Sequence, residues 1–263
     1  MGRRSSERRP AAAADGLTED AWLGGRLTLL QPKRGHRVGT DAALLVAAAG
    51  GVGQGRIVDV GAGIGAVGLA LATLSPLVSV DLVEIDAETA RLAESNAAGN
   101  GLQARARVLR LDALVPKERR EAGLAQSANC VVTNPPFFDA GMVRVSPDEG
   151  KARAHILAEA GLAHWIEASI AMLALRGRFV MIHRPDAVGA VLAAIKGRLG
   201  ALALLPVYPT LGVSAHRVLV SGVKGSKAPL RLAPGLILHA ADGRLTAEAD
   251  AIHRGERLVD WGG

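Results

Sequence analysis

The sequence predicts an α/β fold built on a doubly wound, seven-stranded, mostly parallel sheet with an antiparallel C-terminal hairpin. From Arg56 onward, short apolar runs alternate with longer stretches of helical periodicity, a pattern typical of βαβ units that cover both faces of a sheet. A glycine-rich segment follows the first run, where a strand would turn sharply into a helix. The last two runs have no helix-length connection, so we expect them to pair antiparallel at the far edge of the sheet.

Each predicted element follows from this alternation. The seven predicted strands are "RIVDV", "VSVDLVEI", "ARVLRLD", "ANCVVTN", "RFVMIH", "LLPVYP" and "RVLVSGV". Helices are predicted over residues 66–74, 87–98, 117–125, 155–175 and 186–199. Ahead of the sheet, "GGRLTLLQP" predicts a small strand and "TDAALLVAAA" predicts a helix capped by Thr40 or Asp41.

Length and composition bound the domain organisation. The chain has 263 residues, which one large α/β core can accommodate. Its first ten residues, "MGRRSSERRP", carry four arginines and no apolar segment, so we expect a disordered basic arm over residues 1–20 and a single domain over residues 21–263. The longest apolar run, residues 42–53, falls short of the roughly 20 residues that a bilayer span needs, which predicts a soluble protein.

Charge and cysteine content indicate the class of partner and the compartment. The net charge of +6 and the sequence pI near 10.1 favour a polyanionic partner such as RNA. The only cysteine, Cys130, lies in an apolar run, so we interpret it as a buried strand residue and expect a reducing compartment, with the cytoplasm the simplest. The histidines show no metal-ligand spacing, so no metal site is predicted. As a separate expectation, we favour a monomer.

The segment "DVGAGIGAVG" predicts a nucleotide-cofactor site, because it follows a strand and opens a helix. Its glycines, Gly61, Gly63 and Gly65, permit positive φ angles and a close approach of the backbone to a ligand. Glu84 ends the next strand and can accept hydrogen bonds from two ribose hydroxyls. The loop alone leaves open whether the cofactor is a nicotinamide dinucleotide or S-adenosylmethionine, since both bring an adenosine ribose to this crevice.

Two further acids are candidate cofactor ligands. Asp59 lies inside the otherwise apolar first strand, where a carboxylate is costly unless it is hydrogen-bonded, so it either braces the loop amides or meets a cofactor amino group. Asp112 directly follows the third strand and could accept the adenine amino group of a cofactor. A local capping or solvated role for Asp112 is about as probable from the residues alone.

The segment "TNPPF" at the end of the fourth strand predicts the chemical site, because that strand lies beside the cofactor crevice. The Asn134 side-chain oxygen and the Pro135 carbonyl can accept the two N–H bonds of an exocyclic amine and turn its lone pair toward an electrophilic methyl group. The prolines, including Pro136, hold this geometry and offer no competing N–H. Phe137 offers an aromatic face to an unstacked base.

On these residues the sequence resembles class I S-adenosylmethionine-dependent N-methyltransferases, whose signature is an Asn/Asp-Pro-Pro-aromatic tetrapeptide. With "RVGTDAALLV", "LVEID", "KAR" and "HRVLV", the resemblance over residues 23–223 is to the bacterial tRNA1(Val) adenine-37 N6-methyltransferase family. It implies a Rossmann-like methyltransferase fold, S-adenosyl-L-methionine as cofactor and tRNA as partner. It also implies that Val38, Gly39, Thr40 and Asp41 close over the cofactor, that residues 59–65 and Glu84 bind it, and that residues 134–137 orient the target adenine. Members of the family often carry tyrosine where this chain has Phe137 and Phe138.

Three other functions compete with this interpretation. Methylation of a protein glutamine, as in release-factor methyltransferases, would use a similar tetrapeptide, but those enzymes carry a helical recognition domain for which the segment before Arg56 is expected to be too short. A nicotinamide oxidoreductase shares only the glycine loop and gives no role to the Asn-Pro-Pro-Phe segment. A non-catalytic RNA module that binds the cofactor is disfavoured because the tetrapeptide is intact.

Overall fold

The computed structural model describes residues 16–34, 37–136 and 150–262, with the backbone alone described over residues 150–159. In chain order the elements are β1 (Leu17–Trp22), β2 (Leu27–Pro32), α1 (Thr40–Ala49), β3 (Gln54–Val60), α2 (Ala66–Leu74), β4 (Leu77–Glu84), α3 (Ala87–Gly99), β5 (Ala106–Arg110), α4 (Pro116–Glu121), β6 (Ala128–Thr133), α5 (Gly150–Met172), β7 (Leu173–His183), a 3-10 turn (Pro185–Ala187), α6 (Val188–Ile195), β8 (Leu199–Thr210), β9 (Arg217–Lys224), β10 (Arg231–Leu232), β11 (Leu236–His239) and α7 (Ala247–His253).

The seven predicted strands form the body of one sheet in the order β8-β9-β7-β6-β3-β4-β5. Strands β3 to β7 run parallel to one another, and β9 lies antiparallel between β7 and β8. The doubly wound sheet and the antiparallel hairpin are therefore confirmed. Because β3 and β6 are neighbours, the carboxyl ends of β3, β4, β5 and β6 meet at one edge, where a doubly wound sheet binds its ligand.

The strand count and the position of the hairpin differ from the prediction. Two short strands, β10 and β11, pair in parallel with β8, so the described part of the sheet has nine strands and the hairpin does not form its edge. They span two and four residues, too few for a clear period-2 signal.

The apolar side chains of each central strand alternate between two clusters, one on each sheet face. In β6, Cys130 and Val132 pack on the face that also holds Leu44 of α1 and Leu69 of α2. Val131 packs on the opposite face with Ile166 of α5. This two-sided burial explains why the central strands are continuous apolar runs.

The N-terminal hairpin β1–β2 contains one strand that the sequence did not predict. β1 spans Leu17–Trp22 with a largely half-buried side-chain pattern and pairs antiparallel with β2. Residues 17–20 are therefore part of a strand and not of a disordered arm, while residues 1–15 lie outside the described residues. The short helix α7 also lacked a prediction.

Helix α1 begins where predicted, but its cap differs. Gly39 occupies the N-cap position and no side chain caps the helix, so the predicted capping by Thr40 or Asp41 is wrong. The Asp41 carboxylate instead pairs with Arg217 at the start of β9. Within the described ranges, none of the helices combines the length and apolar character that crossing a membrane requires.

Candidate active site

The loop between β3 and α2 needs glycine because of its backbone conformation and, at two positions, because of close packing. Gly61, Gly63 and Gly65 all have positive φ, at 72°, 57° and 85°. A Cβ at Gly61 would lie 2.9 Å from the ring of Trp165, and one at Gly65 would lie 2.9 Å from Leu82. A Cβ at Gly63 would meet nothing within 4 Å, so the loop has open space above Gly63. A ligand can approach the backbone closely at that point.

Glu84 is tied to this loop by its carboxylate. Its Oε2 accepts a 2.9 Å hydrogen bond from the Gly63 N–H, and its Oε1 accepts one of 2.9 Å from the Asp86 N–H. Each carboxylate oxygen has a second lone pair, so both can accept a further hydrogen bond from a ligand hydroxyl.

Asp59 is a buried carboxyl group at the base of the loop. Its side chain faces α2, where Oδ2 accepts a 2.9 Å hydrogen bond from the Gly68 N–H, and the residue is 3% exposed. Burial, opposed by this bond and reinforced by the nearby charge of Glu84, raises the pKa of Asp59 to about 7. The site thus holds a carboxyl group that a cationic ligand group would ionise.

Asp112 follows β5 and has a local hydrogen-bonding role as well as a place in the site. Its Oδ1 accepts a 2.8 Å hydrogen bond from the Leu114 N–H, and its own N–H donates to Glu118 in α4. Asp112 therefore does not cap α4, whose N-cap residue is Val115; its carboxylate closes a local turn, and the residue also lines a cavity described below.

The segment from Val38 to Asp41 closes one side of the site, and neighbouring elements hold it at both ends. The Val38 N–H donates to the Gln31 side chain of β2 at 3.1 Å. The Arg217 Nε donates to both carboxylate oxygens of Asp41, at 3.1 and 2.9 Å. This ion pair gives Arg217 a position in the wall of the site, with its side chain 24% exposed.

Two adjoining cavities lie at the carboxyl edge of the sheet and share Gly61 and Asn134. The first has a volume of about 640 Å³, and its lining includes Val38, Gly39, Thr40, Asp41, Asp59 and Gly63. The second has a volume of about 550 Å³, and its lining includes Glu84, Ile85, Asp112, Pro135, Pro136 and Trp165. Of the predicted cofactor residues, Gly65 lines neither cavity and serves the turn instead.

The tetrapeptide begins at the junction of these cavities. Asn134 follows the last residue of β6 and is half-buried, Pro135 is buried, and Pro136 is exposed. Phe137 and Phe138 lie outside the described residues. Asn134 is therefore the described polar side chain that faces both cavities.

Two side chains that the sequence analysis missed support the junction from below. Thr133 is fully buried, and its Oγ1 donates to the Val60 carbonyl at 2.8 Å and accepts a 2.9 Å hydrogen bond from the Trp165 Nε1. These bonds join the ends of β3 and β6 to α5, and they hold the Trp165 ring against Gly61. Nothing local in "HWIEAS" distinguishes Trp165 from an ordinary core residue.

Cys130 lines neither cavity, and the described acidic residues of the site do not form a metal-binding group. Burial raises the pKa of the Cys130 thiol to about 12, so the thiol is neutral at physiological pH. In the portion of the chain that the structure describes, no three His, Cys, Asp or Glu side chains are grouped to hold a metal ion.

Comparison with known proteins identifies similar chains. The family model for the methyltransferase small domain matches residues 36–160, a range that contains all the predicted site residues. The tRNA1(Val) (adenine(37)-N6)-methyltransferase of Erwinia tasmaniensis is 36% identical over 118 residues, which cover 44% of this chain and 46% of that protein. The protein of the same name from Cronobacter sakazakii is 30% identical over 188 residues, 70% of this chain and 74% of that one.

A solved structure from Agrobacterium tumefaciens is also similar. The protein Atu636, described as a predicted O-methyltransferase, is 29% identical, with a TM-score of 0.70 over 83% of this chain and 98% of that one. The fold is therefore shared with a protein that is described as a methyltransferase.

Proposed function

Because the chain belongs to the tRNA1(Val) (adenine(37)-N6)-methyltransferase family, a group of class I S-adenosylmethionine-dependent N-methyltransferases, we propose that it methylates the exocyclic N6 of an adenine in tRNA. Only 46% of the Erwinia tasmaniensis relative is matched by this chain, and 74% of the Cronobacter sakazakii relative. We place this activity in the cytoplasm, where tRNA is available and a lone buried cysteine is expected to stay reduced.

The acidic groups around the two cavities are suited to S-adenosyl-L-methionine. This cofactor supplies a methyl group on a positively charged sulfur, together with an amino group and two ribose hydroxyls. Asp41, Asp59 and Glu84 provide carboxylates for the cationic and hydroxyl groups, and the space above Gly63 admits a ligand to the loop. Glu84 would repel a ribose 2′-phosphate, which disfavours a phosphorylated nicotinamide dinucleotide.

The observation that carries the proposal is the position of Asn134 at the junction of the two cavities. We assign to its side-chain oxygen and to the Pro135 carbonyl the two N–H bonds of the target amine. Positive charge develops on that nitrogen as its lone pair attacks, and two fixed acceptor dipoles stabilise the charge without reorganising. Because proline has no N–H, no backbone donor at positions 135 and 136 competes for the lone pair.

Other acceptors are disfavoured on chemical grounds. A hydroxyl acceptor, as the name of the Agrobacterium tumefaciens protein implies, must lose its proton, and the carboxamide of Asn134 cannot act as the base. Methylation of a protein glutamine is disfavoured because the similar relatives reported above are tRNA adenine methyltransferases. A nicotinamide oxidoreductase leaves the tetrapeptide without a role.

The test is mass spectrometry of nucleosides from unmodified tRNA incubated with the protein and S-adenosylmethionine. We expect N6-methyladenosine from the wild type and none from Asn134→Ala, with the affinity for S-adenosylhomocysteine near the wild-type value. Asn129→Ala is the matched control, because Asn129 lies in the same strand at the opposite edge of the sheet, where it accepts a hydrogen bond from the Arg56 N–H. Full turnover by Asn134→Ala would remove Asn134 from the mechanism. A ribose-methylated nucleoside, or no methylated adenosine from the wild type, would refute the proposed acceptor.

A further inference from the structure

Two asparagines four residues apart, Asn96 in helix α3 and Asn100 at its C-cap, hydrogen-bond the backbone of β2 as a neighbouring strand would. Asn96 accepts from the Leu30 N–H at 2.7 Å and donates to the Leu30 carbonyl at 3.1 Å. Asn100 accepts from the Thr28 N–H at 2.9 Å and donates to the Thr28 carbonyl at 2.8 Å. Residues i and i+4 of a helix share a face, and the backbone groups of residues i and i+2 of a strand point to the same side. Asn96 and Asn100 can therefore reach Leu30 and Thr28 at the same time. These amides thereby satisfy the edge of β2 that does not face β1.

The two asparagines differ in what else they contact. The side-chain nitrogen of Asn96 also donates to the Ile64 carbonyl at 3.0 Å, and Ile64 lies between Gly63 and Gly65 of the glycine loop. Asn100 makes its additional bond to the Asn96 carbonyl, within its own helix. Asn96 is 1% exposed and lines neither cavity. Its amide supplies one acceptor and two donors, and all three are used, a combination that aspartate or leucine cannot provide.

The glycine loop is therefore held from two sides. Glu84 accepts from the Gly63 N–H on the side of the cavities, and Asn96 donates to the Ile64 carbonyl from the helix behind the loop. The Ile64 carbonyl belongs to the peptide between Ile64 and Gly65, whose N–H donates to the Ala62 carbonyl at 2.9 Å, so Asn96 adds a second hydrogen bond to a peptide flanked by two residues with positive φ. A fixed carbonyl at Ile64 fixes the direction of the neighbouring amides.

The same hairpin also reaches the other side of the first cavity. Gln31, which is 5% exposed, accepts from the Val38 N–H and donates to Asp20 at 2.9 Å, and Asp20 pairs with Arg37 at 2.8 Å. β2 thus contacts the glycine loop through Asn96 and the Val38 segment through Gln31. It connects two walls of one cavity.

We propose that Asn96 is a positioning residue for the cofactor loop: its donor bond to the Ile64 carbonyl keeps the loop in the conformation that binds S-adenosylmethionine and couples that conformation to β2. The inference rests on the proposed use of this cofactor. It predicts that two chemically equivalent asparagines on one helix differ in their effect on cofactor affinity, since only Asn96 reaches the loop.

The experiment is calorimetric titration of S-adenosylhomocysteine into the wild type, Asn96→Asp and Asn100→Asp, with thermal unfolding measured for each. Both substitutions keep an acceptor oxygen for β2 and remove the donor. In Asn96→Asp the hydrogen bond to the Ile64 carbonyl is lost and a carboxylate oxygen faces that carbonyl instead, which should weaken binding by roughly tenfold or more. Binding by Asn100→Asp should stay within about twofold of the wild type. A purely structural role would lower the unfolding temperature of both variants and leave both affinities alike, which would overturn the proposal.

A measurement on the wild type covers the case in which the Asn96 variants fail to fold. Residue-resolved amide hydrogen exchange should show that S-adenosylhomocysteine slows exchange of the Leu30 N–H, which Asn96 holds, and leaves the Thr28 N–H, which Asn100 holds, unchanged. Equal responses at Leu30 and Thr28, or none at Leu30, would overturn the proposal. A wild type that does not bind S-adenosylhomocysteine at all would refute the proposed cofactor, and with it this inference, whereas binding without the Asn96 effect would refute the inference alone.

Discussion

At the scale of single residues, the site places acidic side chains where the proposed cofactor carries positive charge. Burial favours the neutral form of one of them, Asp59, and raises its pKa. Its carboxylate accepts a hydrogen bond from the Gly68 N–H, which favours the ionised form, and the neighbouring charge of Glu84 raises the pKa further. The residue can therefore exchange a proton when a cation arrives.

The pKa of Asp59 predicts that cofactor binding depends on pH. In the free protein the carboxyl is largely protonated below its pKa of about 7. A bound cation favours the ionised form, so binding releases a proton below that pH, and affinity for S-adenosylmethionine should rise as the pH increases toward about 7.5 and then level off. Calorimetry in two buffers of different ionisation enthalpy should detect close to one released proton at about pH 6 and almost none at about pH 8.5.

Asp59→Asn provides the control for this prediction. It removes the titrating group and keeps an acceptor oxygen for the Gly68 N–H, so any remaining proton release belongs to the ligand or to other groups. Wild-type binding with the same proton release as Asp59→Asn would contradict the assignment.

At the scale of elements, an ion-pair triad fastens three strands together away from the cavities. Asp81 of β4 is buried and pairs with Arg56 of β3 and Arg107 of β5. Both arginines also donate to carbonyls in the loop after α4, Arg56 to Gly123 and Arg107 to Ala122. Asp81 thereby ties the strands that carry the glycine loop, Glu84 and Asp112 to a common support.

Asp81→Ala should lower the free energy of unfolding by about 2–3 kcal/mol, because it leaves Arg56 without its buried partner. The value is below the roughly 3–5 kcal/mol of a fully buried pair, since the Arg107 side chain is 53% exposed. Urea denaturation measures the change. Asp242→Ala, which breaks a surface pair with Arg244, should leave stability nearly unchanged, and similar losses in the two variants would refute this role for Asp81.

The elements that the sequence predicted share a physical property. β3, β4 and β6 are buried on both faces, so their apolar runs are continuous and their ends are sharp. β1 and β11 mix buried or half-buried side chains with polar ones over a few residues, which leaves little periodic signal.

The candidate site was predictable where its residues lie at the ends of strands. The glycine loop, Glu84 and Asn134 follow strand ends, and strand ends can be read from the chain. Trp165, Thr133 and Asn96 depend on which helix passes behind which loop, a relation that no local pattern encodes. Asn96 resembled any polar residue of an exposed helix until α3 was seen to face β2.

At the scale of the whole molecule, the excess of positive charge remains to be assigned. Arg3, Arg4, Arg8 and Arg9 lie in the N-terminal segment, outside the described residues. We predict that deleting residues 1–10 weakens tRNA binding at low ionic strength and reduces the slope of log affinity against log salt by up to about 3, taking roughly 0.7 for each of four phosphate contacts. Cofactor affinity should not change. Superimposable titrations of the two proteins at every salt concentration would confine RNA recognition to the rest of the chain.

The contact between Trp165 and the glycine loop gives the molecule an intrinsic fluorescence signal. All three tryptophans lie in the described ranges, and of these only Trp165 lines either of the two cavities of the site. Trp261 donates to the Ala48 carbonyl, and Trp22 packs on the core of one sheet face. S-adenosylhomocysteine should therefore shift or quench the indole emission of the wild type and of Trp22→Phe and Trp261→Phe, but not of Trp165→Phe. A signal that survives in Trp165→Phe would show that the ligand acts elsewhere. If the signal follows Trp165, cofactor exchange can be timed by stopped-flow without labelling the protein, the cofactor or the RNA.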